Sequence, residues 1–241
     1  FVDYSAPFTR AFQDWLKGEY GTLAALSAAH GATYKDFSEV AVPSREERER
    51  NDRFFFIDPQ KRRPLIDFRR FISELIAEDI LSLARIVKEE SGRRALCGTY
   101  YGYVMYVLSP LWNETGHFAL SKVLRSKDID FLMSPSRYSD RGIGGGSGFM
   151  TAESSFLLLG KYYIDQADLR TLHAHQTSYG RVYTLRDSAA VMQREFAATL
   201  VSGAACQWYD FGHGWMTADA RLMQVAAKCR TIEEELRLKP R

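Results

Sequence analysis
Apolar residues recur at three- and four-residue spacing from Leu65 to Glu90. Phe68, Ile72, Leu75, Ile76, Ile80, Leu83 and Val87 fall on one face, and Ser91-Gly92 closes the run, which predicts the strongest helix of the chain. The opening segment predicts another, with Phe8, Phe12, Trp15 and Leu16 on one face, Asp3 or Ser5 as cap, Pro7 in the first turn and Gly21 as the stop. A short helix over Thr22–Ala29 ends at Gly31. Between Thr33 and Pro64, three prolines and the charge run SREERERNDR predict an excursion over the surface, the run itself being a solvated helical turn or loop.

Downstream the pattern changes. Short apolar runs of strand type at Ala95–Tyr101, Phe131–Ser134, Lys161–Ile164 and Ala204–Trp208 alternate with helical segments around Phe118–Arg125, Glu153–Leu159, Leu185–Val201 and Ala218–Leu236. Helix and strand in alternation imply a parallel sheet of α/β class, and strands that are continuously apolar imply cover on both faces. An open doubly wound sheet and a barrel both satisfy this pattern. Four strands are half of a (β/α)8 TIM barrel, so this chain alone is not expected to close one. The glycine-rich Gly142–Gly148 follows a long loop rather than a strand turning into a helix, which disfavours a dinucleotide site and suits a loop rimming a site.

Composition narrows the partners. With 241 residues, 46% of them hydrophobic, the chain can bury a core. Its 32 basic and 30 acidic residues leave a formal charge of +2, which argues for neither nucleic acid nor a membrane surface. No apolar run reaches the ~20 residues a membrane span needs. Cys97, Cys206 and Cys229 show no metal-type spacing and read as buried free thiols, in keeping with a cytoplasmic protein.

In parallel α/β barrels the reactive groups lie just past the C-terminal ends of the strands. Those ends carry Tyr100, Tyr101 and Tyr103; Arg137, Tyr138, Asp140 and Arg141; Asp165, Gln166, Asp168 and Arg170; and Trp208, Tyr209, Asp210, His213 and Trp215. Aromatic faces stack on pyranose C–H groups while acids, amides and arginines bind hydroxyls, so the combination predicts a carbohydrate site. Asp168 and Arg170 are read as an ion pair bracing the third tail. His173 and His175 form an H-x-H that suits a metal-dependent hydrolase only if further ligands join it.

FVDYSAPFTRAFQDWLKGEYGTLAAL resembles the segment of the family 42 glycoside hydrolases that follows the fourth barrel strand. DFRRFISELIAEDILSLARIVKEESG with ALCGTYYGYV is similar to the family's helix leading into strand five, DIDFLMSPSRYSDRG to strand six and GKYYIDQADLRT to strand seven. The resemblance implies a TIM barrel of which residues 1–64 form the helical and loop segment after strand four, and 65–241 form strands five to eight with their helices. It implies a retaining hydrolase of β-galactoside-like bonds without a cofactor, its N-terminal barrel half as partner, and a homo-oligomer, typically a trimer. Such enzymes use an acid/base glutamate after strand four and a nucleophile after strand seven. The first would precede Phe1. Related sequences read D-E-A-D where this one reads Asp165-Gln166-Ala167-Asp168, so Gln166 holds the nucleophile position, and an amide cannot form the glycosyl ester. Three readings stay open: an introduced Glu-to-Gln change, a natural loss leaving a silent sugar-binding barrel, or Asp165 or Asp168 serving instead. Asn113-Glu114 resembles the Asn-Glu pair that precedes an acid/base in this clan, but it follows strand five, so Glu114 is a lesser catalytic candidate.

Overall fold
The computed structural model describes residues 2–49, 57–105, 115–210 and 214–237. They fall into two compact units, residues 1–80 with 107–121, and residues 81–106 with 122–241.

The first unit is helical. Helix α1 (Ala6–Tyr20) starts where the Ser5 side chain accepts the Phe8 N–H and ends at Gly21, whose φ of 68° carries the chain out of the helix. Helix α2 (Leu23–His30) is capped by Thr22, and a short helix α3 (Arg45–Glu49) lies in the charge run. The first turns of α4 (Arg63–Glu90) complete the unit. Phe12, Leu16, Leu26, Phe68, Phe71 and Ile72 form its core. Phe12 meets Phe68 edge-on at 5.4 Å and Phe71 at 5.2 Å. Each fully buried ring stabilises the unit by roughly 2–3 kcal/mol relative to exposure. The segment from Thr33 to Pro64 is largely exposed among its described residues, as expected of a surface excursion, but not throughout. Val40 and Val42 are buried in the same core, and Arg48, inside the supposedly solvated run, is only 7% exposed. The local polar composition hid a non-local fact: two valines close the aromatic core of α1 and α4.

The second unit holds a parallel sheet of β1 (Gly98–Tyr100), β2 (Phe131–Pro135), β3 (Tyr162–Ala167) and β4 (Ala205–Trp208), paired in chain order. Helices α5 (Leu120–Arg125), α6 (Glu153–Leu158) and α7 (Leu185–Ser202) connect the strands, and α8 (Ala220–Arg237) follows the last. Strand β1 is shorter than its apolar run suggested. Its approach is pinned by Lys88, which donates to the Ala95 carbonyl at 2.8 Å and to Asp130 at 2.5 Å, while Asp130 accepts the Cys97 N–H. Leu169, Val191, Met192, Met216 and Leu222 pack between β3, α7 and α8. Among the described residues the sheet is open, with β1 and β4 at its edges. Of the cysteines only Cys229 is buried; Cys97 and Cys206 are partly exposed, which corrects the expectation for those two.

Candidate functional site
The register aligns Pro135, Gln166 and Gln207 across β2, β3 and β4. Side chains alternate along a strand, so neighbouring residues of β3 serve opposite faces. Tyr163 packs edge-on against Phe149 and Phe156, which puts it under α6. Asp165, two residues on, shares that helix-covered face and takes hydrogen bonds from Ser136 Oγ at 2.7 Å and Tyr163 Oη at 3.3 Å. Gln166 therefore belongs to the other face of the sheet. The expectation that Asp165 binds substrate is corrected by this alternation. Burial raises the Asp165 carboxyl to about 7; the Ser136 hydrogen bond offsets this in part, while the charge of Glu195 adds to it.

The same rule reassigns two other tails. Trp208 lies on the Cys206 side of β4, where both line a cavity of about 320 Å³ with Phe196, Cys229 and Arg230, so it faces the helices rather than a substrate. Tyr101 is only 1% exposed, which corrects its expected place on an open rim, whereas Tyr100 beside it is 42% exposed.

What the four strand ends bring together is a tyrosine-rich rim. The Tyr103 hydroxyl is held above its usual range by burial first and then by Tyr100, Tyr138 and Asp168 nearby. Tyr100 is raised by burial and by Tyr209 and Asp168. These phenols stay protonated at neutral pH and act as neutral donors and acceptors. At the centre, Asp168 is fully buried between two guanidinium groups, Arg141 at 2.5 Å and Arg170 at 2.7 Å, and accepts from Tyr138 Oη at 3.2 Å. The Arg170 guanidinium lies 5.4 Å from the Tyr138 ring and 5.5 Å from that of Trp215. The brace between Asp168 and Arg170 read from the sequence is present, with Arg141 as a second cation. Neither aspartate is placed to replace a nucleophile. Asp165 is on the wrong face, and both Asp168 oxygens are engaged by arginines.

The remaining candidates separate. Asp210 accepts the backbone N–H groups of Trp215, Met216 and Thr217 and the Thr217 hydroxyl, which bring its carboxyl down to about 2 against the cost of burial. It ties a turn, a structural role where a sugar contact was expected. Arg137 and Asp140 are exposed, Asp140 accepting the Gly146 N–H. His173 bonds Asp219 and His175 bonds Thr177, so the H-x-H rings serve different partners; among the described residues no group of three His, Cys, Asp or Glu side chains could hold a metal. Glu114 and His213 lie outside the described residues.

Sequence reasoning missed Gln207, Ser136 and Arg194. Reading alternation outward from Gln166 across the register finds the first; Ser136 supports Asp165 on the helix-covered face and Arg194 holds the loop after β2, contacts that no local pattern marks.

The family model described as Beta-galactosidase, for glycoside hydrolase family 42, matches residues 2–122. The chain belongs to glycoside hydrolase family 42. The match ends before β2, so within this family 42 chain the rim from Ser136 onward rests on its own geometry. Beta-galactosidase BbgII of Bifidobacterium bifidum is 37% identical over 81 residues, 32% of this chain and 11% of that protein. Among solved structures, the catalytic domain of β-amylase from Paenibacillus polymyxa superposes with a TM-score of 0.64 at 12% identity, over 98% of this chain and 56% of that one. The β-galactosidase of the psychrophilic Marinomonas ef1 gives 0.61 at 17% identity, over 99% and 38%. An exo-β-agarase gives 0.56 at 13%, over 93% and 30%. The family 42 chain thus has the fold of TIM-barrel glycosidases and spans only part of their length.

Proposed function
We propose that this chain is the strand-five-to-eight half of a β-galactosidase-type barrel and that its sugar site surrounds Gln166 at the C-terminal edge of the sheet. In this reading β1 to β4 are strands five to eight, and the N-terminal half supplies strands one to four with the acid/base glutamate. The observation that carries it is the position of Gln166: near the end of β3, on the face away from the helices, at the sheet edge whose strand tails carry Tyr100, Tyr138 and Arg170. A retaining mechanism needs a carboxylate there, about 5–5.5 Å from its partner, to attack the anomeric carbon while the partner protonates the leaving oxygen. An amide binds hydroxyls but forms no glycosyl ester. That amide also favours a second reading, a barrel that binds sugar without cleaving it.

Two measurements on the full-length protein separate these. Titration with isopropyl β-D-thiogalactoside, which resists hydrolysis, tests the sugar site: no binding removes it. Gln166→Glu is then assayed on an aryl β-galactoside. Appearance of turnover supports the hydrolase reading; binding with no gain leaves the silent barrel.

A further inference from the structure
Arg194, on α7, donates all five of its N–H groups. Nε reaches Ser147 Oγ at 3.1 Å; Nη1 reaches the Gly142 carbonyl at 2.7 Å and that of Gly145 at 3.1 Å; Nη2 reaches the Arg141 carbonyl at 2.9 Å and Glu195 Oε1 at 3.0 Å. A guanidinium has five donors in a fixed fork, and here each has its own acceptor. Four of the acceptors belong to one stretch, Arg141–Ser147, the glycine-rich rim after β2. The loop is built for close approach: a Cβ on Gly145 would stand 2.1 Å from the Asp140 carbonyl oxygen.

The residue whose carbonyl Arg194 holds is also the one whose side chain enters the site. Arg141 is 2% exposed at its side chain and donates Nε to the Arg137 carbonyl, Nη1 to the Asp168 carbonyl at 3.0 Å and Nη2 to the Ser136 carbonyl, while Nη2 forms an ion pair with Asp168 Oδ1. Asp168 in turn holds Arg170 and Tyr138. A continuous set of charge-assisted bonds therefore runs from α7 through the loop to the rim.

We propose that Arg194 is a positioning residue for the sugar site: it sets the Gly142–Gly148 loop, and through Arg141 and Asp168 it sets Arg170 and Tyr138 in the geometry that meets the substrate. This rests on the sugar-site reading above. Its charge is balanced by Glu195, 2% exposed, so removing Arg194 alone leaves a buried carboxylate uncompensated. The double variant Arg194→Met with Glu195→Gln avoids that, and Arg194→Lys keeps the charge but offers three donors from one point.

Two readouts are taken on the full-length protein: amide exchange at Gly145, Gly146 and Asp168, and affinity for isopropyl β-D-thiogalactoside well below the melting temperature. In the double variant, exchange at all three amides is expected to rise and affinity to fall about tenfold or more, with Lys intermediate. Arg186→Met, an exposed change on the same helix, should alter neither. A residue serving stability alone would lower the melting temperature and leave the affinity of the folded protein intact, which overturns the proposal. Faster exchange confined to the loop, with Asp168 unchanged, overturns it too. If the unsubstituted protein binds no thiogalactoside, the sugar site itself falls, and exchange at Asp168 still decides whether Arg194 acts at that distance.

Discussion

Asp67 in the helical unit and Asp165 in the sheet unit are both fully buried carboxylates, and the two units treat them in opposite ways. Around Asp67 stand the Arg63 guanidinium at 2.9 Å, His30 at 3.1 Å and the Tyr20 hydroxyl. A carboxylate only accepts, so His30 Nε2 carries the proton in that bond. Burial alone would raise Asp67, but His30, Tyr20 and Arg63 together hold it below the usual range. Asp165 has only neutral hydroxyls as donors and a like charge, Glu195, nearby, and it rises to about 7. Asp168, three residues further along the chain, is paired with two arginines. Burial does not fix the state of a carboxylate; the charge of its donors does. A buried acid that is compensated by cations is a brace, and one that is solvated by hydroxyls is a proton store.

The largest test of that contrast removes a compensated acid. Asp67→Ala would leave Arg63 and His30 facing an uncharged site, and Asp168→Ala would leave Arg141 and Arg170 against each other. Each should cost about 3–5 kcal/mol of unfolding free energy by urea titration at neutral pH, as expected when one member of a buried ion pair is lost. A cost below about 1 kcal/mol at either site would place it with exposed surface pairs and break the comparison.

Asp165 should behave in the reverse sense. Its folded pKa, about 7, lies above the ordinary 3.8, so its contribution is fully present below about pH 4 and is lost as pH rises through 7. Relative to Asp165→Asn, the unsubstituted protein should lose up to roughly 4 kcal/mol between pH 4 and pH 8. Asp67 has a lowered pKa, so relative to Asp67→Asn its contribution is lost as pH falls instead. Two stability differences of opposite slope are the outcome that sustains the comparison; parallel slopes would end it.

What the sequence disclosed and what it concealed divide along the same line. Helix α4 was legible because its apolar spacing is local, and the start of β2 at Phe131 because an apolar run begins there. Strand β1 was over-read: Leu96 is apolar yet 72% exposed, and pairing begins only at Gly98. The rim was found as a set of strand ends but misassigned residue by residue, since a tail taken as a block ignores that Asp165 and Gln166 point oppositely. Tyr101 and Trp208 were included by residue type, where alternation would have kept Tyr100 alone of the first pair and found Gln207 in place of the second. Arg194 could not be read at all, because its four acceptors in the loop lie 47 to 53 residues away in the chain. Local patterns give elements and long-range charge pairing gives the site.

The smallest effect concerns how firmly each unit starts its helices. In α7, Thr184 Oγ1 accepts the Asp187 N–H at 3.0 Å, and Ser188 Oγ links the Thr184 carbonyl to the Leu172 N–H beyond β3. In α1, Ser5 Oγ accepts the Phe8 N–H at a longer 3.4 Å and donates to Asp3. Thr184→Ala should therefore cost about 1 kcal/mol, and Ser5→Ala about half of that. The two differ in reach as well as size. Loosening the first turn of α7 frees Ser188, so amide exchange at Leu172 should quicken in Thr184→Ala, whereas Ser5→Ala should stay confined to its own turn. If Leu172 is unmoved, α7 is anchored by its packing against Val182 and Leu222 rather than by its cap, and the helix that carries Arg194 is steadier than its first turn.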